Sequence, residues 1–210
     1  MEREIGGNQD SNWHEEFQTI KAMIEKTKRD TAESGTSLIL WGWLVIAGCI
    51  ATYVMAAFKQ YSFIWVAWLV LVGLGVISNI AVLRHKKRVV QASTYIGDAL
   101  TNLWIACGVA MTIVGFVGSL SPVISYKAIF PLISVILGIG TFATGGIVNW
   151  RLMRMGGLFW WAAGILMMFV SINYHPLILG ITVIPGYMVP GYMLRAQYKS
   201  TTKHEHAQAT

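Results

Sequence analysis

The sequence predicts an all-α fold: a polytopic membrane helix bundle of about six transmembrane helices, with an N-terminal amphipathic cytosolic helix. Three observations lead there. After residue 36 the chain is filled by about six apolar runs, each long enough to cross a bilayer. Of its 210 residues, 55% are hydrophobic and 12% charged, where an ordinary soluble domain has about a quarter charged. The 16 Lys and Arg residues are also spread very unevenly among the gaps between those runs.

The first 35 residues are the one sizeable piece outside the membrane. Here Trp13, Phe17, Ile20 and Ile24 recur at helical spacing and make one apolar face. Glu15, Glu16, Lys21, Glu25, Lys26, Lys28 and Arg29 cover the remainder. A helix from about Asn12 to Glu33 would lie along the anionic headgroups, dock on a partner, or pack against its own bundle. The opening MEREIGGNQDSNWHEEF lacks the basic start, apolar stretch and cleavage site of a secretory signal, so it is expected to stay in the cytosol.

Apolar length and charged or Pro/Gly punctuation place the spans at 37–57, 63–83, 99–118, 128–149, 157–173 and 177–194. The first run stops before Lys59 and the second at the basic stretch RHKKR, residues 84–88. The third opens after Asp98, the fourth after Lys127, the fifth after Arg151 and Arg154, and the sixth after Pro176. The residues from 196 to 210 form a polar tail.

With a cytosolic N-terminus, the inner segments hold Arg3, Lys21, Lys26, Lys28 and Arg29, then Arg84, Lys86, Lys87 and Arg88. Arg151, Arg154, Arg195, Lys199 and Lys203 complete the inner set, leaving only Lys59 and Lys127 outside. This asymmetry predicts six spans in a cell inner membrane with both termini cytoplasmic. It also accounts for the net charge of +6 without nucleic acid. Beside a helix end, RHKKR reads as topology plus attraction to anionic headgroups, at about 1 kcal/mol per basic residue near the surface.

The odd helices open alike, with LILWGWLVIAG from Leu38, NLWIACGVAM from Asn102 and LFWWAAGILM from Leu158. The even helices close alike, with NIAVLR, GIVNWR and GYMLRAQ. Three helical hairpins in series would give this pattern, and so would the shared preference of Trp and Arg for the interface.

Asp98 is the only acidic residue between Glu33 and Glu205, and it sits beside Asn102 at the mouth of the third helix. It reads as a helix cap or salt bridge to Arg84, Arg151 or Arg195, or alternatively as an ion or proton site. Asn79, Asn102 and Asn149 fall toward the same membrane half, where interhelical hydrogen bonding is the plain explanation. In the sixth helix, PGYM occurs at Pro185 and again at Pro190, which predicts a kinked or unwound segment. Pro185, Tyr187, Pro190 and Tyr192, with Asp98 and Asn102, are therefore the candidate solute or ion site.

Glycines 73, 75, 108, 115, 118, 138, 140, 145 and 146 point to close helix packing or to an oligomer seam. HExxH, CxxC, GxSxG and P-loop patterns are absent from the sequence, and Cys49 and Cys107 fall inside apolar runs. No metal and no cofactor is expected.

Through WGWLV near Trp41 and PGYMVPGYMLR near the end, the chain resembles a Bacteroidota-type group of hypothetical six-span membrane proteins that begin with an amphipathic cytosolic helix. The resemblance implies a membrane bundle and carries over no catalytic or binding residue. The expected function is that of a non-enzymatic, membrane-embedded interaction or regulatory protein, a homo-oligomer or a docking point for a cytosolic or membrane partner. The alternative is a small-solute channel or transporter.

Overall fold

The computed structural model describes residues 35–87 and 95–196, with side chains over 35–80 and 97–196. The expected N-terminal helix, with Trp13, Phe17, Ile20 and Ile24, lies outside the described residues, as does the tail. Six helices are long and apolar enough to cross a membrane. They are α1 (Gly35–Ala57), α2 (Ile64–Lys87), α3 (Gly97–Leu120), α4 (Tyr126–Ile147), α5 (Arg151–Phe169) and α6 (Ile172–Ala196).

Short turns join them. After α1, Lys59 takes a left-handed conformation at φ 59° and the Gln60 N–H closes back on Met55 O at 2.8 Å. The turn after α4 repeats this with Asn149 at φ 53° and Trp150 N–H on Gly145 O at 2.8 Å. Both cover the carbonyls that a helix end leaves unpaired. Because the second turn is so tight, α5 begins at Arg151, six residues before the expected 157. Arg151 and Arg154 read as loop residues by charge, yet they form the first turns of the helix, where their heads can reach the membrane surface. Helix α5 likewise ends at Phe169 instead of 173, where Val170 turns extended.

Helices α4 and α5 pack closely through small residues. A Cβ built on Gly157 would stand 3.0 Å from Gly138 O and 2.7 Å from Phe142 Cβ, and one on Gly164 would stand 3.3 Å from Pro131 O. Gly138 in turn seats the Trp161 indole, which stacks on Phe142 at 5.2 Å and donates to Val135 O at 3.2 Å. Ser134 Oγ donates to Trp160 O at 2.6 Å. This pairing joins the second of the expected hairpins to the third.

The sixth helix lies against α4, α5 and α1. Along its contact with α1, Gly35 meets Gly191, Gly42 meets Val183 and Met188, and Cys49 meets Gly180. The seven-residue spacing of Gly35, Gly42 and Cys49 keeps one small face of α1 on its neighbour. Helix α2 packs on α1, with Trp41 over Gly75 and Trp68 over Gly48. Of the glycines that suggested close packing, 73, 108 and 146 have open space around them.

Threonines inside the bundle satisfy their hydroxyls on their own helices, as a medium without water requires. Thr52 bonds Gly48 O at 2.8 Å and Thr144 bonds Gly140 O at 2.7 Å. Each then accepts a tryptophan from a neighbour: Trp68 Nε1 on Thr52 at 2.9 Å, and Trp104 Nε1 on Thr144 at 3.2 Å.

Candidate functional site

The candidate site forms where α3, α4 and α5 meet the middle of α6. The sequence there is ILGITVIPGYMVPGYM, and Pro185 and Pro190 have no backbone N–H to return to the preceding turn. The helix responds by widening instead of breaking. Residues Ile184–Met188 form one π-helical turn, with the Val189 N–H reaching five residues back to Ile184 O. The expected kink or unwinding is thus a local change of pitch in a continuous helix.

That wide turn brings the Tyr187 ring, 2% exposed, between two indoles. Trp160 lies edge-on at 5.2 Å between ring centroids, and Trp104 does the same at 6.0 Å. The Thr141 hydroxyl, at hydrogen-bonding range, and the Cys107 thiol lie near the Tyr187 side chain. Thr141 donates to Leu137 O at 2.7 Å, and the Tyr187 hydroxyl has no well-aligned partner within 3.5 Å. Trp160 is fully buried and its Nε1 is also unpaired. The indole nitrogen faces Gly186, where an added Cβ would stand 2.5 Å from it.

Among the described residues, one other buried side-chain atom lacks a partner, His175 Nδ1. His175 opens the α-helical part of α6, is 1% exposed, and holds Val170 O through Nε2 at 3.1 Å. Leaving a buried donor or acceptor unpaired costs about 1–3 kcal/mol, and most native structures leave few.

The residues singled out in sequence are not brought together. Asp98 lies in the first turn of α3, exposed and without an ion-pair partner among the described residues, a position the helix dipole favours. Asn102 is exposed on the same helix. Asn79 accepts from Ser37 Oγ of α1 at 3.3 Å, an interhelical hydrogen bond, and Asn149 sits in its left-handed turn. Within α6, Tyr187 and Pro190 point into the core, Pro185 is half-buried, and Tyr192 is 49% exposed.

Sequence reasoning missed Trp104, Cys107, Thr141, Trp160 and His175. The two tryptophans read as members of an interfacial belt, and Trp160 at 0% exposure is a core residue instead. The available signal was LFWWAAG, in which adjacent tryptophans on one helix point about 100° apart, so the two need not share one environment.

No group of three or more potential metal-ligating His, Cys, Asp or Glu residues occurs among the described residues. Compared with protein families, curated proteins and solved structures, the chain matches none.

Proposed function

We propose that this chain is a non-enzymatic, membrane-embedded interaction or regulatory protein whose bundle anchors the N-terminal amphipathic helix at the cytoplasmic face of an inner membrane. One observation carries the reading: among the described residues, the bundle core holds no charged side chain. Lys59, Asp98, Lys127, Arg151 and Arg195 are exposed and Arg154 is half-buried, so no described charged side chain enters the core. A proton- or ion-coupled carrier needs ionisable groups along its path. The turns around Lys59 and over residues 121–125 are also too short to form a ligand-binding domain. What remains for recognition is the segment carrying Trp13, Phe17, Ile20 and Ile24, and the uneven placement of Lys and Arg supports a cytosolic position for it.

The test is Phe17→Glu combined with Ile24→Glu in the full chain. The double variant is expected to reach the membrane fraction at the wild-type level while losing at least tenfold in partner recovery from solubilised membranes. Unchanged recovery would contradict the proposal.

The second reading, a small-solute channel or transporter, is favoured by the unpaired Trp160 and Tyr187 atoms at the wide turn of α6. It expects solute flux in proteoliposomes that Pro190→Ala or Asp98→Asn changes.

A further inference from the structure

We infer that the bundle end formed by the turns after α1, α3 and α5 is an interaction surface for phospholipid. The turns sit in the headgroup layer of their leaflet, with apolar tips toward the acyl chains and Lys59 and Lys127 on lipid phosphates. The inference rests on the bundle crossing a membrane, and on neither the N-terminal helix nor the orientation proposed above. Contacts between helices bring the three turns to one end. Cys49 near the end of α1 meets Gly180 near the start of α6, and Pro131 near the start of α4 meets Gly164 near the end of α5. The four most exposed large apolar side chains among the described residues all stand at these turns: Phe58 at 76%, Leu120 and Val123 at 87%, and Phe169 at 85%. Each turn is also flanked by an exposed tyrosine, Tyr61, Tyr126 or Tyr174. Exposed apolar surface of this kind marks an interaction site. Apolar tips beside tyrosine and lysine are the chemistry of the membrane–water boundary, where a phenol ring lies at headgroup level and a lysine stem follows apolar surface to its charged head.

Charge selects lipid as the occupant. Lys59 and Lys127 are the only charged residues at these turns, and both are exposed without an ion-pair partner among the described residues. The one acid between Glu33 and Glu205 is Asp98, in the first turn of α3 and so at the opposite end. The phosphate of a phospholipid supplies the missing anion. The turn backbone is also satisfied from within, as a place short of water requires. The Val123 N–H donates to Ser121 Oγ at 3.2 Å and the Lys127 N–H to Ser125 Oγ at 3.4 Å. The Gln60 N–H donates to Met55 O at 2.8 Å and the Tyr174 N–H to Ser171 O at 3.0 Å. The opposite end differs in kind, with Asp98, Arg151 and Arg195 exposed.

Phe58→Cys, Val123→Cys and Phe169→Cys, each made singly in a full chain carrying Cys49→Ala and Cys107→Ala, test one turn apiece. These side chains are largely exposed, so their replacement removes no core contact. Each cysteine is spin-labelled in nanodiscs of phosphatidylcholine with phosphatidylglycerol. Collision rates are then read with oxygen, which concentrates in lipid, and with a water-soluble nickel chelate. Arg195→Cys, at the opposite end, is the aqueous reference. The oxygen-to-nickel ratio is expected to be severalfold higher at all three turns than at position 195. A ratio equal to that at 195 puts the turns in water and overturns the inference. Low collision rates with both reagents mean that a second copy or another protein covers the turns, which overturns it as well. Adding Lys59→Glu and Lys127→Glu is expected to lower the ratio at position 123, because the phosphates then repel the turns. An unchanged ratio overturns the phosphate contacts.

Discussion

Helices α2 and α6 have the same length to span and opposite fates. Helix α2 is the most apolar of the six, yet only 6% of its span is buried inside the protein. Helix α6 is less apolar, carries three prolines, threonine, tyrosine and histidine, and is 50% buried. Helix α5, the least apolar, is still 39% buried. In water the order would be reversed, because burial there follows hydrophobicity. In a bilayer the lipid tails are as apolar as leucine, so apolar side chains gain nothing from one another that lipid does not also supply. Association falls to close packing of small residues and to hydrogen bonds. The apolar surface of α2, with Val70 and Ile77 exposed, suits contact with lipid, while Gly, Ser and Thr residues of α4 to α6 are buried in the interior beside Trp160, Met167 and Leu179.

If that contrast is right, substitutions should rank by what a glycine touches, whatever the polarity of its helix. Gly157→Leu inserts a branched chain where even a Cβ would meet the backbone of α4, so the helices must separate. The expected loss is about 3 kcal/mol or more, read as a large drop in thermal midpoint in nanodiscs. Gly75→Ala faces the far end of the Trp41 indole at 2.6 Å, a side chain able to shift, and should cost about 1–2 kcal/mol. Two residues away, Gly73 has nothing within 4 Å. There Gly73→Ala should be neutral or stabilising by up to about 1 kcal/mol through helix propensity. Equal losses at positions 73 and 75 would break the comparison.

The six spans were legible because span length and the exclusion of charge are properties of single segments. The start of α5 was not, because Arg151 and Arg154 read as loop residues until the tight turn at Asn149 places them on a helix. The candidate site was half legible. Two copies of PGYM drew attention to α6, and the sequence alone treats Tyr187 and Tyr192 alike. Five residues of α-helix turn through about 500°, leaving the second tyrosine about 140° from the first. One therefore enters the core and the other leaves it. The partners of Tyr187 were invisible for a different reason. What makes Trp160 a core residue is Gly186, 26 positions away, whose missing side chain admits the indole. That is a pairwise fact, and no local pattern encodes it.

The division of the bundle into an interior of α4 to α6 and a lipid-facing α2 is tested most directly by oxygen accessibility of spin labels in nanodiscs. Single cysteines at Val70 and at Leu137 would be labelled in a chain carrying Cys49→Ala and Cys107→Ala. Val70 is 56% exposed and Leu137 5%. The account predicts high oxygen accessibility at 70, as for a site in lipid, and low accessibility at 137. Equal accessibility at the two positions, or a protected position 70, would contradict it.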